Sequence, residues 1–270
     1  MEKKVSLDAG HYGEYNRSPV VKDYYESDMN WTLHLLLKKH LERYGIEVIT
    51  TRDDKEKDLS LTTRGKASKD CDLFLSIHSN AASKESVDYP VVYVQLDGKG
   101  DALGNALASA IEYMMGTKQG GRIEKRKGIR GEYYGVLRGA ASVGTVGLIL
   151  EHSFHTNAKA AKWLMDQNNL EELAKVEADI IAKHLGASKN VSVDLPVLKR
   201  GAKDGSVWSL QAMLLGFGYD LGTTGAKKDG VDGSFGGKTE EALKKYQFEN
   251  DLDSDGSCGR KTWSSLLGID

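Results

Sequence analysis

Four residues of this sequence stand where chemistry is usually done: His11, Glu26, His78 and Glu151. In Val5-Ser6-Leu7-Asp8-Ala9-Gly10-His11, apolar residues alternate with polar ones and then meet a glycine. That pattern predicts a short strand ending in a tight turn, with His11 just past the strand end. His78 closes the apolar run Leu73-Phe74-Leu75-Ser76-Ile77, and Glu151 closes Val146-Gly147-Leu148-Ile149-Leu150. Glu26 opens a helical run. Two imidazoles and a carboxylate suit a zinc ion that keeps one coordination position open, and a further carboxylate suits a proton shuttle.

The elements that would position these groups follow one another in alternation. After the first strand comes a polar, aromatic loop over 12–25, then a helix from about Ser27 with Leu33, Leu36, Leu37, Leu41 and Tyr44 on one face. Gly45 stops it, and 47–51 reads as a second strand. A short helix is expected over 59–69, a buried strand over 72–78, a strand over 91–94 and a helix over 102–115. Residues 116–131 are rich in glycine and basic side chains; 134–137 reads as a short strand and 146–150 as another buried one. Helices over about 158–168 and 170–185 complete the unit. Alternation of this kind predicts an α/β domain with an open, largely parallel sheet flanked by helices, and active sites of such sheets lie beyond the carboxyl ends of the strands. Three strands would then deliver His11, His78 and Glu151 to one rim.

This domain is expected over 1–187, with a linker over 188–195 and a small three-helix C-terminal domain over 196–270. Its helices are marked by Val207, Leu210, Gln211, Leu214 and Leu215, by Thr239, Ala242, Leu243, Tyr246 and Phe248, and by a run from Thr262. A formal net charge of −2 gives no electrostatic case for nucleic acid or an anionic membrane as the main partner. No apolar run approaches the length of a transmembrane segment. Cys71 and Cys258 fall in different domains and have no zinc-site spacing, so a disulfide between them is not expected. The N-terminus enters the first strand directly, without the apolar stretch and small-residue cleavage site of an export signal.

Spacing alone leaves the third metal ligand open. His11-Tyr12-Gly13-Glu14 is an H-x-x-E pattern, as in zinc carboxypeptidases, so Glu14 competes with Glu26. The full set of motifs resembles a particular family. Asp8-Ala9-Gly10-His11, Glu26 with Asn30 one turn on, Ser76-Ile77-His78-Ser79-Asn80-Ala81 and Glu151-His152-Ser153-Phe154-His155-Thr156-Asn157 occur in the order seen in zinc-dependent N-acetylmuramoyl-L-alanine amidases of the amidase-3 type. Thr51-Arg52 and 61–64 extend the resemblance. It implies that His11, Glu26 and His78 are zinc ligands, that Glu151 is the catalytic carboxylate, and that Glu14 is not a ligand. The chain departs from the family's D-A-G-H-G-G pattern by placing Tyr12 after the histidine. The C-terminal segments Leu198-Lys199-Arg200-Gly201, Leu210-Gln211, 231–236, Tyr246-Gln247 and Gly259-Arg260-Lys261-Thr262-Trp263 resemble the type 1 peptidoglycan-binding domain. The two resemblances together imply hydrolysis of the bond between muramic acid and the first L-alanine of the stem peptide, with peptidoglycan as partner. The expected setting is a phage endolysin, or else an autolysin; the missing export signal favours the endolysin. Two rivals stand beside this reading: a zinc peptidase using His11, Glu14 and His78, and a non-catalytic cell-wall-binding protein.

Other polar residues carry weaker expectations. Asp251-x-Asp253-x-Asp255-Gly256 begins like a calcium loop, but its twelfth position is Thr262, so an acidic turn is expected. His34, His40 and His184 are expected on helix surfaces, and His152 and His155 are candidates for supporting the site or touching substrate. Lys118, Arg122, Lys125, Arg126, Lys127 and Arg130 form a basic cluster expected to be a solvated loop, with contact to acidic groups of the wall as the alternative.

Overall fold

A computed structural model describes residues 3–129, 131–188 and 195–268. The chain divides into two compact units, Met1–Val191 and Ser192–Asp270. The linker expected over 188–195 lies almost wholly outside the described residues, as does Arg130.

The first unit runs β1 (Lys4–Ala9), α1 (Glu26–Glu42), β2 (Glu47–Thr50), α2 (Leu61–Lys66), β3 (Leu73–Asn80), β4 (Val91–Val94), α3 (Asp101–Met115), β5 (Arg122–Glu124), β6 (Lys127–Gly128), β7 (Gly131–Glu132), α4 (Gly135–Ser142), β8 (Val146–Phe154), α5 (Ala158–Met165) and α6 (Gln167–Leu185). Six strands form one open sheet in the order β2-β1-β3-β8-β4-β5, and β6 and β7 make a separate two-stranded hairpin. The pairs among β2, β1, β3 and β8 are parallel; β4 runs antiparallel to β8 and parallel to β5. The sheet is therefore mostly parallel, as expected, with one reversal at β4.

The central strands are apolar because both faces of the sheet are covered. On one face Leu33, Leu37 and Leu41 of α1, Leu103 and Leu107 of α3, and Leu173 and Ile181 of α6 pack on Val5, Leu7, Leu75 and Leu150. On the other, Val136, Leu137 and Ala140 of α4 pack on Phe74, Tyr93 and Ile149.

The expected strand over 134–137 is instead the start of α4. Four apolar-rich residues cannot by themselves separate strand from helix. Tertiary packing decides here: a Cβ on Gly65 of α2 would collide with the backbone of α4 at Val136 and Ala140, so the two helices meet backbone to backbone. The strands also run further than expected. β3 continues through His78 to Asn80 and β8 through Glu151 to Phe154, with a register shift between His78 and Asn80. His78 and Glu151 are thus partners within the last turns of a ladder and do not lie in loops beyond it.

The second unit holds α7 (Gly205–Gly216), α8 (Gly237–Glu249) and α9 (Arg260–Leu267) around Leu198, Leu210, Leu214, Leu243, Tyr246, Trp263 and Leu266. Two buried glutamines organise its loops. Gln211 Nε2 donates to Asp232 Oδ1, Ser234 O and Thr239 Oγ1, and its Oε1 accepts from the N–H groups of Asp232 and Gly233. Gln247 does the same one loop later, donating to Asp255 Oδ1, Ser257 O and Thr262 Oγ1 and accepting from Gly256 N–H. The loops share the pattern D-G-S-x-G-x-K-T, at 232–239 and 255–262. The acidic turn is therefore one of two equivalent loops, with Asp255 engaged by Gln247 and by Ser257 N–H. Cys258, buried in this unit, and Cys71 of the first unit are free thiols.

Candidate active site

His11 reaches its position through a backbone that other residues hold. Its φ of +62° is in the left-handed region, uncommon for a residue with a side chain. Arg64 of α2, 3% exposed, donates from Nη1 to Ala9 O at 3.0 Å and from Nη2 to His11 O at 3.1 Å. Arg52 Nη2 donates to Ala9 O at 3.0 Å, and Asn30 Nδ2 of α1 to Gly10 O at 3.1 Å. Each turn carbonyl thus accepts from a side chain of α1, α2 or the segment after β2, which offsets a strain of about 1–3 kcal/mol. Asp8 balances the guanidinium charge: its Oδ1 accepts from Thr51 Oγ1 and Arg64, and its Oδ2 from Ser76 Oγ. Position 10 must be glycine because a Cβ there would penetrate the His78 ring.

Glu26 is the first residue of α1, where the helix dipole favours a carboxylate. Its Oε1 lies 2.8 Å from His78 Nδ1 and accepts from Ser79 N–H at 3.1 Å. Its Oε2 lies 3.3 Å from His11 Nε2 and accepts from Asn16 Nδ2 at 2.6 Å. Burial alone would raise this carboxyl, but the hydrogen bonds with His11 and His78 outweigh it and hold the group well below the usual carboxylate range. The three side chains offer ligand atoms that all lie within 4.8 Å of one another. Tetrahedral zinc with nitrogen and oxygen bonds of about 2.1 Å needs ligand atoms about 3.4 Å apart, so this donor set fits it with small side-chain rotations. Glu14 is exposed and lies outside the group; Glu26 occupies the place between the histidines.

Glu151 lies beside His78 in the β3–β8 ladder. Its Oε2 is shielded from solvent and has no hydrogen-bond partner. Burial, then the Glu26 charge, raise its carboxyl to about 8. An orphaned buried carboxylate oxygen beside a metal-type cluster is a group held ready for a proton.

The strand behind these residues is held by His152, a candidate for supporting the site, and by Glu177, which the sequence pattern did not single out. His152, fully buried, places Nδ1 3.0 Å from the carbonyl of His78 and Nε2 2.7 Å from Glu177 Oε1 of α6. Burial lowers the His152 pKa, but the charge and hydrogen bond of Glu177 outweigh it, and the net shift is upward. Glu177 has no motif of its own; its signal is a single carboxylate on the apolar face of α6, among Leu173, Ala174, Ala178 and Ile181. His155 is buried at the next step, with Nδ1 3.0 Å from Ser79 Oγ, which is 2.7 Å from Tyr24 Oη. Both histidines therefore brace β3. His34 and His40, expected at the surface, are buried; His34 Nδ1 lies 2.5 Å from Trp31 O and His40 Nε2 3.0 Å from Glu171. Their apolar-face spacing on α1 outweighs residue type. His184 is exposed.

The site mouth carries aromatic rings. Tyr15 stacks on His11 with ring centroids 4.7 Å apart, and the exposed Tyr12 lies 6.1 Å from Tyr15.

With this geometry in hand, comparison with known proteins is decisive. Residues 5–183 match the family model of N-acetylmuramoyl-L-alanine amidase, Amidase_3. The chain belongs to this amidase family. Residues 203–266 match the type 1 peptidoglycan-binding domain. Solved structures share the amidase fold. The catalytic domain of CwlV, an N-acetylmuramoyl-L-alanine amidase from Bacillus (Paenibacillus) polymyxa var. colistinus, is similar with 24% identity and a TM-score of 0.59, over 69% of this chain and 99% of that one. An N-acetylmuramoyl-L-alanine amidase from Clostridium difficile 630 matches with 21% identity and a TM-score of 0.59, over 68% and 97%. AmiC2 of Nostoc punctiforme matches with 22% identity and a TM-score of 0.58, over 68% and 97%. The chain is thus a cell-wall amidase with peptidoglycan as its substrate, and no helix among the described residues is long and apolar enough to cross a membrane.

Proposed function

We propose that the amidase is zinc-dependent, that His11, Glu26 and His78 hold the ion, and that Glu151 moves the proton during hydrolysis of the bond between muramic acid and the L-alanine of the stem peptide. The observation that carries this reading is the pairing of a close His–Glu–His donor set with a shielded, unpartnered carboxylate oxygen one strand away. Zinc held there supplies a Lewis acid for the scissile carbonyl and brings the pKa of a bound water toward neutrality.

The chain's own residues do the rest. Glu151, raised toward neutrality by burial, is matched to accept a proton from the attacking water and return it to the departing amine. His152 and Glu177 fix the backbone of β3 and so the direction of His78. Arg64, Arg52 and Asn30 hold the turn that aims His11. Asn16 donates to Glu26 and limits its rotation. The match of 203–266 to a peptidoglycan-binding domain supports a wall-lysing role, as an endolysin or an autolysin, in which the second unit keeps the enzyme at its substrate.

The test is product analysis on purified peptidoglycan. The expected result is release of new L-alanine amino termini, abolished by a chelator and restored by zinc. Release of a carboxy-terminal amino acid would support the peptidase reading, and wall binding without release the non-catalytic one.

A further inference from the structure

The basic cluster over 118–130 does not behave as one loop. Lys125 is neutralised by Asp101 at 2.7 Å, and Arg122 lies flat over Tyr89 at 3.8 Å while bonding Glu124 at 3.2 Å. Arg126 is placed differently. Its guanidinium sits 4.8 Å from the ring centroid of Tyr93 and 5.8 Å from that of Tyr134. Among the described residues its ion pair is with Glu124 at 3.7 Å, too long for a hydrogen bond, and its side chain is 48% exposed. The two tyrosines give it a seat, Tyr93 being buried, while about half of its side chain stays exposed.

That seat lies on the same face of the sheet as Glu151. Glu151 is two residues from Ile149 on β8, so its side chain points to the same face of the sheet, where Ile149 packs with Tyr93 and Tyr134. Across this face the strand order β1-β3-β8-β4-β5 puts His11 and His78 on one side of Glu151; on the other side, Tyr93 of β4, paired with Ile149 two residues before Glu151, is followed by Glu124 and Arg126. The metal-type cluster lies on one side of Glu151 and Arg126 on the other. The Arg126 charge also lowers the Glu151 carboxyl, against the larger effect of burial.

We infer that Arg126 is a specificity-determining residue that binds a carboxylate of the stem peptide on the leaving-group side of the scissile bond. The inference rests on the amidase reading above. If Glu151 protonates the departing L-alanine nitrogen, a peptide extending from Glu151 away from the metal-type cluster crosses β4 toward the Arg126 guanidinium, which sits over Tyr93 of that strand. The α-carboxyl group of the next stem residue lies about 6 Å from that nitrogen along an extended chain, or little more than one strand spacing. A planar guanidinium held on aromatic rings matches a carboxylate bidentately and a carboxamide poorly.

The test compares hydrolysis of muramoyl-L-Ala-D-Glu with that of muramoyl-L-Ala-D-isoglutamine, its amide, by zinc-loaded full-length wild type, Arg126→Ala and Arg126→Lys. The wild type is expected to prefer the free acid. Arg126→Ala should lose about 10-fold in kcat/KM on the acid, chiefly through KM, and about twofold or less on the amide. Arg126→Lys should fall between, since it keeps the charge and loses the fork. Equal losses on both substrates would overturn the inference in favour of a role at the reacting bond or in the fold, and no loss on either would overturn it outright. A wild type that holds zinc yet releases L-alanine termini from neither these substrates nor purified peptidoglycan would sink the amidase reading itself.

Discussion

The two units differ in the polar groups they bury. In the second, Gln211 and Gln247 are neutral and fully engaged, each tying one D-G-S loop to a helix. The first buries titratable groups as well: Glu26 between two histidines, Glu177 against His152, and Glu151 with an unpartnered oxygen. Satisfied neutral amides hold a small core at little electrostatic cost, whereas buried ionisable groups are costly and persist where their charge is used or braced. The contrast separates scaffold from chemistry within one chain.

The largest effect that sharpens this contrast is expected at Glu151. Glu151→Gln should lower kcat about 10²–10⁴-fold while the protein keeps its bound zinc and its melting temperature. The wild-type pH profile checks the same group. The ionised carboxylate accepts the proton, so activity falls as pH drops through its pKa. Burial, then the Glu26 charge, raise it to about 8. A bound dication offsets the Glu26 charge, which places the acid limb of kcat/KM below 8 but above the ordinary carboxylate value of 4.5. A limb at or below that ordinary value would contradict the shielded site.

Next comes the buried pair behind β3. Glu177→Ala strands His152 and is expected to cost about 3–5 kcal/mol in urea unfolding. The His152 pKa is raised on folding, so the pair's contribution is fully present below the unfolded value of 6.5 and is lost as pH rises through the folded value. The gap between wild type and Glu177→Ala should therefore narrow at alkaline pH; a pH-independent gap would mean the pair acts through packing alone. The smallest effect belongs to the neutral network. Gln247→Ala should cost about 1–3 kcal/mol with no pH dependence, because it strands Gly256 N–H and Thr262 without involving a charge. A pH-dependent loss there would break the comparison.

The residues proposed to hold the metal and move the proton were legible in the sequence because each carries its chemistry in its residue type and sits at a recognisable strand end or helix start. Their neighbours were less so. Glu177 is one carboxylate on an amphipathic helix, 25 residues from His152, and only the packing of α6 on the sheet joins them. His34 and His40 look like surface residues until the apolar face of α1 carries them inward. α4 was hidden because its glycine-rich contact with α2 depends on a partner more than 70 residues earlier, which a local apolar pattern does not reveal. The reversal of β4 was equally non-local, since direction depends on the neighbour a strand pairs with. In the second unit the 255–262 loop read only as an acidic turn, because its equivalence to 232–239 shows in the matching glutamine clamps of the fold.

The most direct measurement of the central claim is zinc content and L-alanine-terminus release for wild type, Glu26→Ala and Glu14→Ala, each checked for intact secondary structure. Glu26 should prove essential to both metal and activity, so that Glu26→Ala loses the two together while Glu14→Ala keeps both. Full zinc and near-normal hydrolysis in Glu26→Ala, with loss in Glu14→Ala, would contradict the account and move the metal centre to the exposed loop.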